Sequence, residues 1–213
     1  MTTIYLTRHG ETDLNRAGIV QGRGVNAPLN ENGLLQAEAL RERLSNVFLD
    51  AIYCSPLIRA AQTAETVARS HPYLSPRKMI DLEEISWGIC EGKQPNESQK
   101  KTFDELRHAW QKGQFEAKIE GGESAFELEK RAKRALMNIV SQHMDESVLV
   151  VTHGRFLRVL LASILSEYGL ARMEMIKHTN TSLNVLTFDG KKFHAEILND
   201  TLHLRNIVHL THL

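Results

Sequence analysis

Short apolar blocks alternate with longer stretches of helical period along this chain. Ile4-Tyr5-Leu6-Thr7 is a β-branched and aromatic run and predicts a strand. Asn30 stands as an N-cap ahead of Leu34, Leu35, Leu40 and Leu44, a helical pattern. Ala51-Ile52-Tyr53-Cys54 predicts a second strand. Ser55-Pro56 follows it, read as an N-cap with proline at the first helical position, and the helix behind carries Arg59 to about Arg69. The stretch from Pro72 to Pro76 breaks the pattern, and a short strand is expected near Lys78–Ile80.

Residues 92–118 are polar and charged, with Pro95 early and Gly113 late, and predict an excursion holding one helix near 101–112. Gly121-Gly122 is a turn. Ser124, with Glu127 three residues on, forms a capping box for a long helix to about His143. Ser147 to Thr152 reads as a buried strand, and Arg155 to Ser166 as an apolar helix. Leu183–Phe188 and Phe193–Leu198 flank Asp189-Gly190, a strong hairpin signal. Strands alternating with helices predict an α/β fold, with a mostly parallel sheet and an antiparallel edge. Ligands of such sheets bind beyond the carboxyl ends of the strands.

Length and composition narrow the function classes. The 213 residues suffice for one sizeable core, so a single domain over 1–213 is expected, with a cap-like excursion at about 92–122. Lys+Arg and Asp+Glu both number 26, which points away from nucleic-acid and membrane partners and confines any basic site to a local patch. Cys54 and Cys90 lack metal-site spacing and read as reduced thiols of a cytoplasmic protein. Neither a signal peptide nor an apolar run of membrane-spanning length is apparent.

The candidate chemistry lies at strand ends. In Thr7-Arg8-His9-Gly10-Glu11-Thr12 an imidazole follows an arginine and precedes a glycine. A neutral imidazole can attack phosphorus, while the guanidinium binds phosphate oxygens and lowers the histidine pKa. Gly10 is expected to let the backbone approach a ligand. Thr152-His153-Gly154 repeats the histidine-glycine pair after another predicted strand. Arg59 sits near a helix start, where anions are favoured. A phosphate-transfer site also needs a proton donor for the leaving alkoxide. The segment Leu82-Glu83-Glu84-Ile85-Ser86-Trp87-Gly88-Ile89-Cys90-Glu91-Gly92 offers three carboxylates, and the residues alone do not choose among them.

Taken together, Leu6 to Thr12 with Asn15, Gln21-Gly22, Pro28 to Gly33, Ser55 to Ala64, Glu84-Ile85 with Gly88, Gly121 to Ser124, and Val151 to Gly154 resemble the histidine phosphatase superfamily, in its phosphoglycerate-mutase-like branch 1. The resemblance runs from residue 6 to about 160, in the family's order. It implies a three-layer α/β/α sandwich. It implies that His9 is the nucleophile and becomes phosphohistidine, that Glu84 is the proton donor, and that Arg8, Asn15, Arg59 and a cationic His153 grip the phosphoryl oxygens. Gln21 and Gly22 would line the second wall, and Glu83 and Glu91 would be supporting. No metal and no cofactor is implied; the partner is a small phosphate ester, and a homodimer is compatible with the family.

The resemblance leaves the reaction open between a phosphatase, a cofactor-dependent phosphoglycerate mutase and a non-catalytic phosphate binder. The mutases carry an Arg-Arg pair in the central excursion, and residues 92–122 contain none. The retained His9 and Glu84 argue against a pseudo-enzyme. The phosphatase reading is therefore preferred, on sugar phosphates, phosphoglycerates, phosphorylated amino acids or α-ribazole phosphate. Phosphoserine-preferring relatives favour histidine where Trp87 stands, which lowers that option; Trp87 reads either as an apolar wall for the leaving group or as a core aromatic. Asn199 to Leu204 resembles the family's last strand, and His203, His209 and His212 are expected in an exposed tail rather than a metal site.

Overall fold

The computed structural model describes residues 1–94, 96–205 and 207. Pro95, His209 and His212 lie outside the described residues. Among the described residues six strands form one sheet: β1 (Thr2–Arg8), β2 (Ala51–Cys54), β3 (Arg77–Lys78), β4 (Ser147–Thr152), β5 (Leu183–Phe188) and β6 (Phe193–Asp200), in the order β3-β2-β4-β1-β5-β6. The first four are parallel, and β5 and β6 add an antiparallel edge. Arg8 lies opposite Thr152 and Cys54 opposite Val151, so β1, β2 and β4 end together. His9, Ser55 and His153 therefore leave the sheet at one edge.

Side-chain alternation along the strands builds two cores. Ile4, Leu6, Ala51, Tyr53, Val148 and Val150 face one way, under α5 (Ala125–Gln142) and α6 (Gly154–Ile164). Ile52, Cys54, Leu149, Val151 and Leu183 face the other, under α2 (Glu31–Leu44) and α3 (Ile58–Ala68). That is the expected three-layer sandwich. Each fully buried aliphatic side chain favours it by about 1.5–3 kcal/mol over exposure. Among the described residues no helix is long and apolar enough to cross a membrane. Both cysteines are free and buried, one in each core, and burial pushes the Cys54 thiol up to about 11.

Helix starts show which local signals act. Asn30 Oδ1 accepts from Gly33 N at 2.8 Å, and Ser124 and Glu127 cap α5 reciprocally, both as expected. Ser55-Pro56 does not open α3. The Ser55 hydroxyl is used locally by Leu57 N, Leu57 remains extended, and the helix begins at Ile58. Its first N–H donates instead to Asn26 Oδ1 at 2.7 Å, a cap delivered across a loop. In α2, Leu40 and Leu44 are buried, but Leu34 and Leu35 are each 45% exposed because Gly33 and Ala37 occupy the packed face.

Other boundaries shift. The short third strand is Arg77–Lys78, and Ile80–Leu82 forms a 3-10 turn. The excursion helix, α4 (Glu97–Gln111), starts four residues early because Asn96 Oδ1 caps it through Gln99 N at 2.8 Å. Its Leu106 and Trp110 join the α5–α6 core. The apolar helix α6 ends at Ile164, short of Ser166. Strand β6 stops at Asp200, and Leu202–Leu204 is a 3-10 turn rather than strand, with His203 Nε2 donating to Thr181 O at 3.1 Å. A one-turn helix not anticipated from the sequence, α1 (Asp13–Arg16), follows the His9 loop.

Candidate active site

His9 follows β1 directly and is 3% exposed. Its Nδ1 lies 2.6 Å from Gly10 O. A carbonyl only accepts, so Nδ1 carries the proton and the lone pair is on Nε2. Arg59, second residue of α3, is fully buried and donates from Nε to His9 Nε2 at 3.2 Å. Its remaining nitrogens donate to Val25 O at 2.7 Å and Gly22 O at 3.2 Å. Burial first, then Arg59 and Arg8, hold His9 well below the usual histidine range. Burial lowers Arg59 to about 10, which leaves it charged at neutral pH.

The loop behind His9 is fixed by backbone contacts. A Cβ on Gly10 would stand 2.5 Å from Gly33 O, and one on Gly33 would stand 2.0 Å from Glu11 O. The close approach that Gly10 permits is thus to the start of α2, a protein neighbour rather than the ligand expected from the sequence. Asn180 Nδ2 also donates to His9 O at 2.9 Å.

His153 follows β4 directly, with its ring 5.1 Å from that of His9, and both its nitrogens are buried without a protein partner among the described residues. Burial, then Arg59 and His9, push it well below the usual histidine range. The cationic His153 implied by the family resemblance is therefore not met by the protein groups alone: burial, three guanidinium groups and a second imidazole oppose its charge. Arg8 keeps its Nε buried and unpartnered, while its Nη1 lies 3.4 Å from His178 O. His178 closes this wall beside Gly154; burial, then Arg8, lower it to about 3.

Thr12 organises the opposite wall. Its Oγ1 accepts from Asn15 N at 3.1 Å and Gln21 Nε2 at 2.7 Å, and its own N–H donates to Asn15 Oδ1 at 3.2 Å. The Asn15 oxygen is thereby engaged, which turns its amide nitrogen to the donor role. Gly22 packs on Glu91, whose Oε1 would lie 1.9 Å from an added Cβ.

The three carboxylates left open by the residue pattern occupy different environments. Glu84 is 7% exposed at the N-terminus of α6. Its Oε1 accepts from Phe156 N at 2.9 Å and Ile85 N at 3.0 Å, and its Oε2 from Arg155 N at 3.0 Å. Glu83 pairs with Arg23 at 3.2 Å. Glu91 accepts from Trp87 N and Gly24 N, joining two loops. Glu84 is also the carboxylate that most supports the charge of both Arg8 and Arg59 against the cost of burial.

Two residues that sequence reasoning missed hold Glu84 in place. Arg131 of α5 is buried against Glu123 through a two-pronged ion pair at 2.7 and 2.8 Å. Its Nη1 donates to Asp81 O and Glu83 O at 2.9 and 2.6 Å, and Nη2 donates to Glu84 O as well, at 3.0 Å. The only local signal was Arg131 standing within the apolar face of an amphipathic helix. A cavity of about 340 Å³ opens between α4 and Trp87, and its wall includes Arg155, whose backbone N–H donates to Glu84. Trp87 is both things the sequence allowed, a buried aromatic and a wall of this cavity. Among the described residues no three His, Cys, Asp or Glu side chains gather as a metal site.

Two buried histidines and two arginines at the carboxyl edge of the parallel strands, with the Glu84 carboxylate set against the first turn of α6, define an α/β protein built to receive an oxyanion. The chain matches the histidine phosphatase superfamily (branch 1) over residues 4–201 and belongs to that family. It is 34% identical over 209 residues to the metal-independent phosphoserine phosphatase of Arabidopsis thaliana, covering 97% of this chain and 85% of that one. The solved structure of Bacillus stearothermophilus YhfR superposes with a TM-score of 0.85 at 34% identity, covering 96% of this chain and 100% of that one. The phosphoserine phosphatase of Entamoeba histolytica, solved with 3-phosphoglyceric acid, gives 0.83 at 26% identity, with 96% and 100% covered.

Proposed function

We propose that this protein is a metal-independent phosphomonoesterase that hydrolyses small phosphorylated metabolites through a phosphohistidine at His9. One observation carries the reading: the Gly10 carbonyl fixes the His9 proton on Nδ1, so a neutral imidazole aims its Nε2 lone pair at a guanidinium-lined pocket. The phosphoryl group lies among Arg8, Arg59 and His153, with Asn15, Gln21 and the Gly22 backbone on the second wall. Nε2 attacks phosphorus in line, the P–O bond to the leaving group breaks, and the arginines stabilise charge on the equatorial oxygens. Arg59 Nε turns from Nε2 to a phosphoryl oxygen as the N–P bond forms. A bound dianion supplies the negative charge that lets His153 take a proton.

Glu84 takes up a proton when the phosphate dianion binds beside it and gives that proton to the departing alkoxide. It then takes one from the water that cleaves the N–P bond, which releases inorganic phosphate. The excursion around α4 acts as the cap over the leaving group. The names of relatives support phosphatase chemistry and extend to phosphoserine, while Trp87 argues for a different leaving group. The family resemblance ties mutase activity to an arginine pair that the excursion lacks, which places that reading second.

Hydrolysis of p-nitrophenyl phosphate in excess EDTA, before and after the substitution His9→Ala, tests the scheme. Full activity in EDTA and its loss in the variant are expected. Dependence on added metal, or a variant as active as the parent, would sink it. A panel of phosphoglycerates, sugar phosphates and phosphoserine scored by kcat/KM then ranks substrates, and activity seen only with monophosphoglycerate plus bisphosphoglycerate would mean a mutase.

A further inference from the structure

The cavity between α4 and Trp87 has a composition unlike the phosphoryl pocket. Its floor is apolar, made by Val20, Trp87 and Phe103, with the two rings edge to face at 5.1 Å. Its rim is cationic, made by Lys100, Arg107 and Arg155. Arg155 shares Glu174 with Arg158, so that trio carries one net positive charge. Arg107 is neutralised by Asp104. Lys100, on the first turns of α4, has no carboxylate within ion-pair distance among the described residues. The rim therefore keeps a local surplus of positive charge in a chain with no net charge.

None of His9, Arg8, Arg59, His153 and Glu84 lines this cavity, which adjoins Glu84 through its neighbours Trp87 and Arg155. In-line attack sends the leaving group away from His9, and the proton donor must touch the leaving oxygen. The body of the leaving group therefore lies past Glu84. Both elements that reach Glu84 continue into the cavity: Trp87 follows it by three residues, and Arg155 donates its N–H to Glu84 Oε2. The Arg155 guanidinium also lies 5.5 Å from the Trp87 ring centre, which orders the wall on that side.

We propose that this cavity is a leaving-group subsite for phosphate esters with a flat apolar body and a second anionic group at its far end. The inference rests on the phosphomonoesterase reading above. Trp87 and Phe103 pack on the body, and Lys100, with the net positive charge left on the Arg155, Arg158 and Glu174 trio, faces the anion. A second anion as compact as a carboxylate or a phosphate meets the same charge.

The test compares two aryl phosphates of matched leaving-group basicity: 4-ethylphenyl phosphate and 3-(4-phosphonooxyphenyl)propanoate. The carboxylate ester is expected to show about fivefold higher kcat/KM, the scale of one exposed charge pair, and the preference should shrink in high salt. The variant Lys100→Glu should bring the ratio to one or below. A bisphosphorylated analogue of the same body separates carboxylate from phosphate as the favoured anion, and a preference for either supports the subsite. Equal kcat/KM for the two esters, or a preference that survives Lys100→Glu, overturns the subsite and leaves the hydrolase standing. Hydrolysis of neither ester overturns both.

Discussion

The pocket proposed for the phosphoryl group and the cavity proposed for the leaving group are built by opposite means. The pocket side chains come from strand ends and helix starts, and most are buried and tied to backbone: His9 to Gly10, Arg59 to Val25 and Gly22, Glu84 to Phe156 and Arg155. The cavity is lined by the exposed face of α4, whose Asn96 and Lys100 lie in water, and by one buried tryptophan. Groups that act on every phosphate ester are held by contacts that tolerate little change. Groups that read the rest of the substrate lie on a polar segment free to vary. A family with one chemistry and many substrates is the outcome.

The first way to break this contrast is at its centre. His9→Ala removes the attacking atom, and kcat on any ester is expected to fall by a factor of at least about 10³. Comparable losses on activated and unactivated esters, measured by phosphate release, would confirm a role on the common side. Arg131→Met comes next. It leaves Glu123 buried and unpaired, at a cost of about 3–5 kcal/mol in chemical denaturation. Because Arg131 also holds the Glu84 carbonyl, alkyl phosphates should slow about 100-fold and p-nitrophenyl phosphate far less. The variant pairing Arg131→Met with Glu123→Gln should regain stability but not the alkyl rate. A uniform loss across leaving groups would reduce Arg131 to scaffolding.

The third test is pH. Burial keeps His9, His153 and His178 from taking protons in the folded state, aided by Arg59 for the first two and Arg8 for the third. The unfolded chain takes them up below the ordinary value of 6.5. Stability is therefore full above that pH and falls as the pH drops, for His178 down to about 3. Each such histidine contributes a slope of about 1.4 kcal/mol per pH unit. His178→Gln should flatten the urea-midpoint profile by one proton's worth, and an unchanged slope would contradict the assignment. The smallest effect belongs to the variable side. Asn96→Ala removes the α4 cap at a cost of about 1 kcal/mol in thermal unfolding. It should alter discrimination among leaving groups more than the p-nitrophenyl phosphate rate.

What the chain disclosed in advance follows the same division. Strands were legible because β-branched runs such as Val148–Val151 have no competing period. Asn30 and Ser124 were legible as caps because each acts within three residues. His9, Arg59 and His153 stood out because the α/β pattern put all three at one edge of the sheet. Contacts made across the chain left no such trace. Asn26 capping Ile58, Arg131 gripping three carbonyls from 47 to 50 positions away, and Gly10 pressed on Gly33 depend on packing that no window of sequence contains. Glu84 was singled out by family resemblance alone, since nothing in its neighbours' identities reveals that α6 begins against its carboxylate.

The two buried thiols give the molecule a pair of built-in clocks. Cys54 closes strand β2 in one core, and Cys90 sits in the turn that leads to α4 in the other. Alkylation by iodoacetamide must wait for each to open. The order in which the two become labelled would time the loosening of the segment before α4 against that of the sheet, without any added probe.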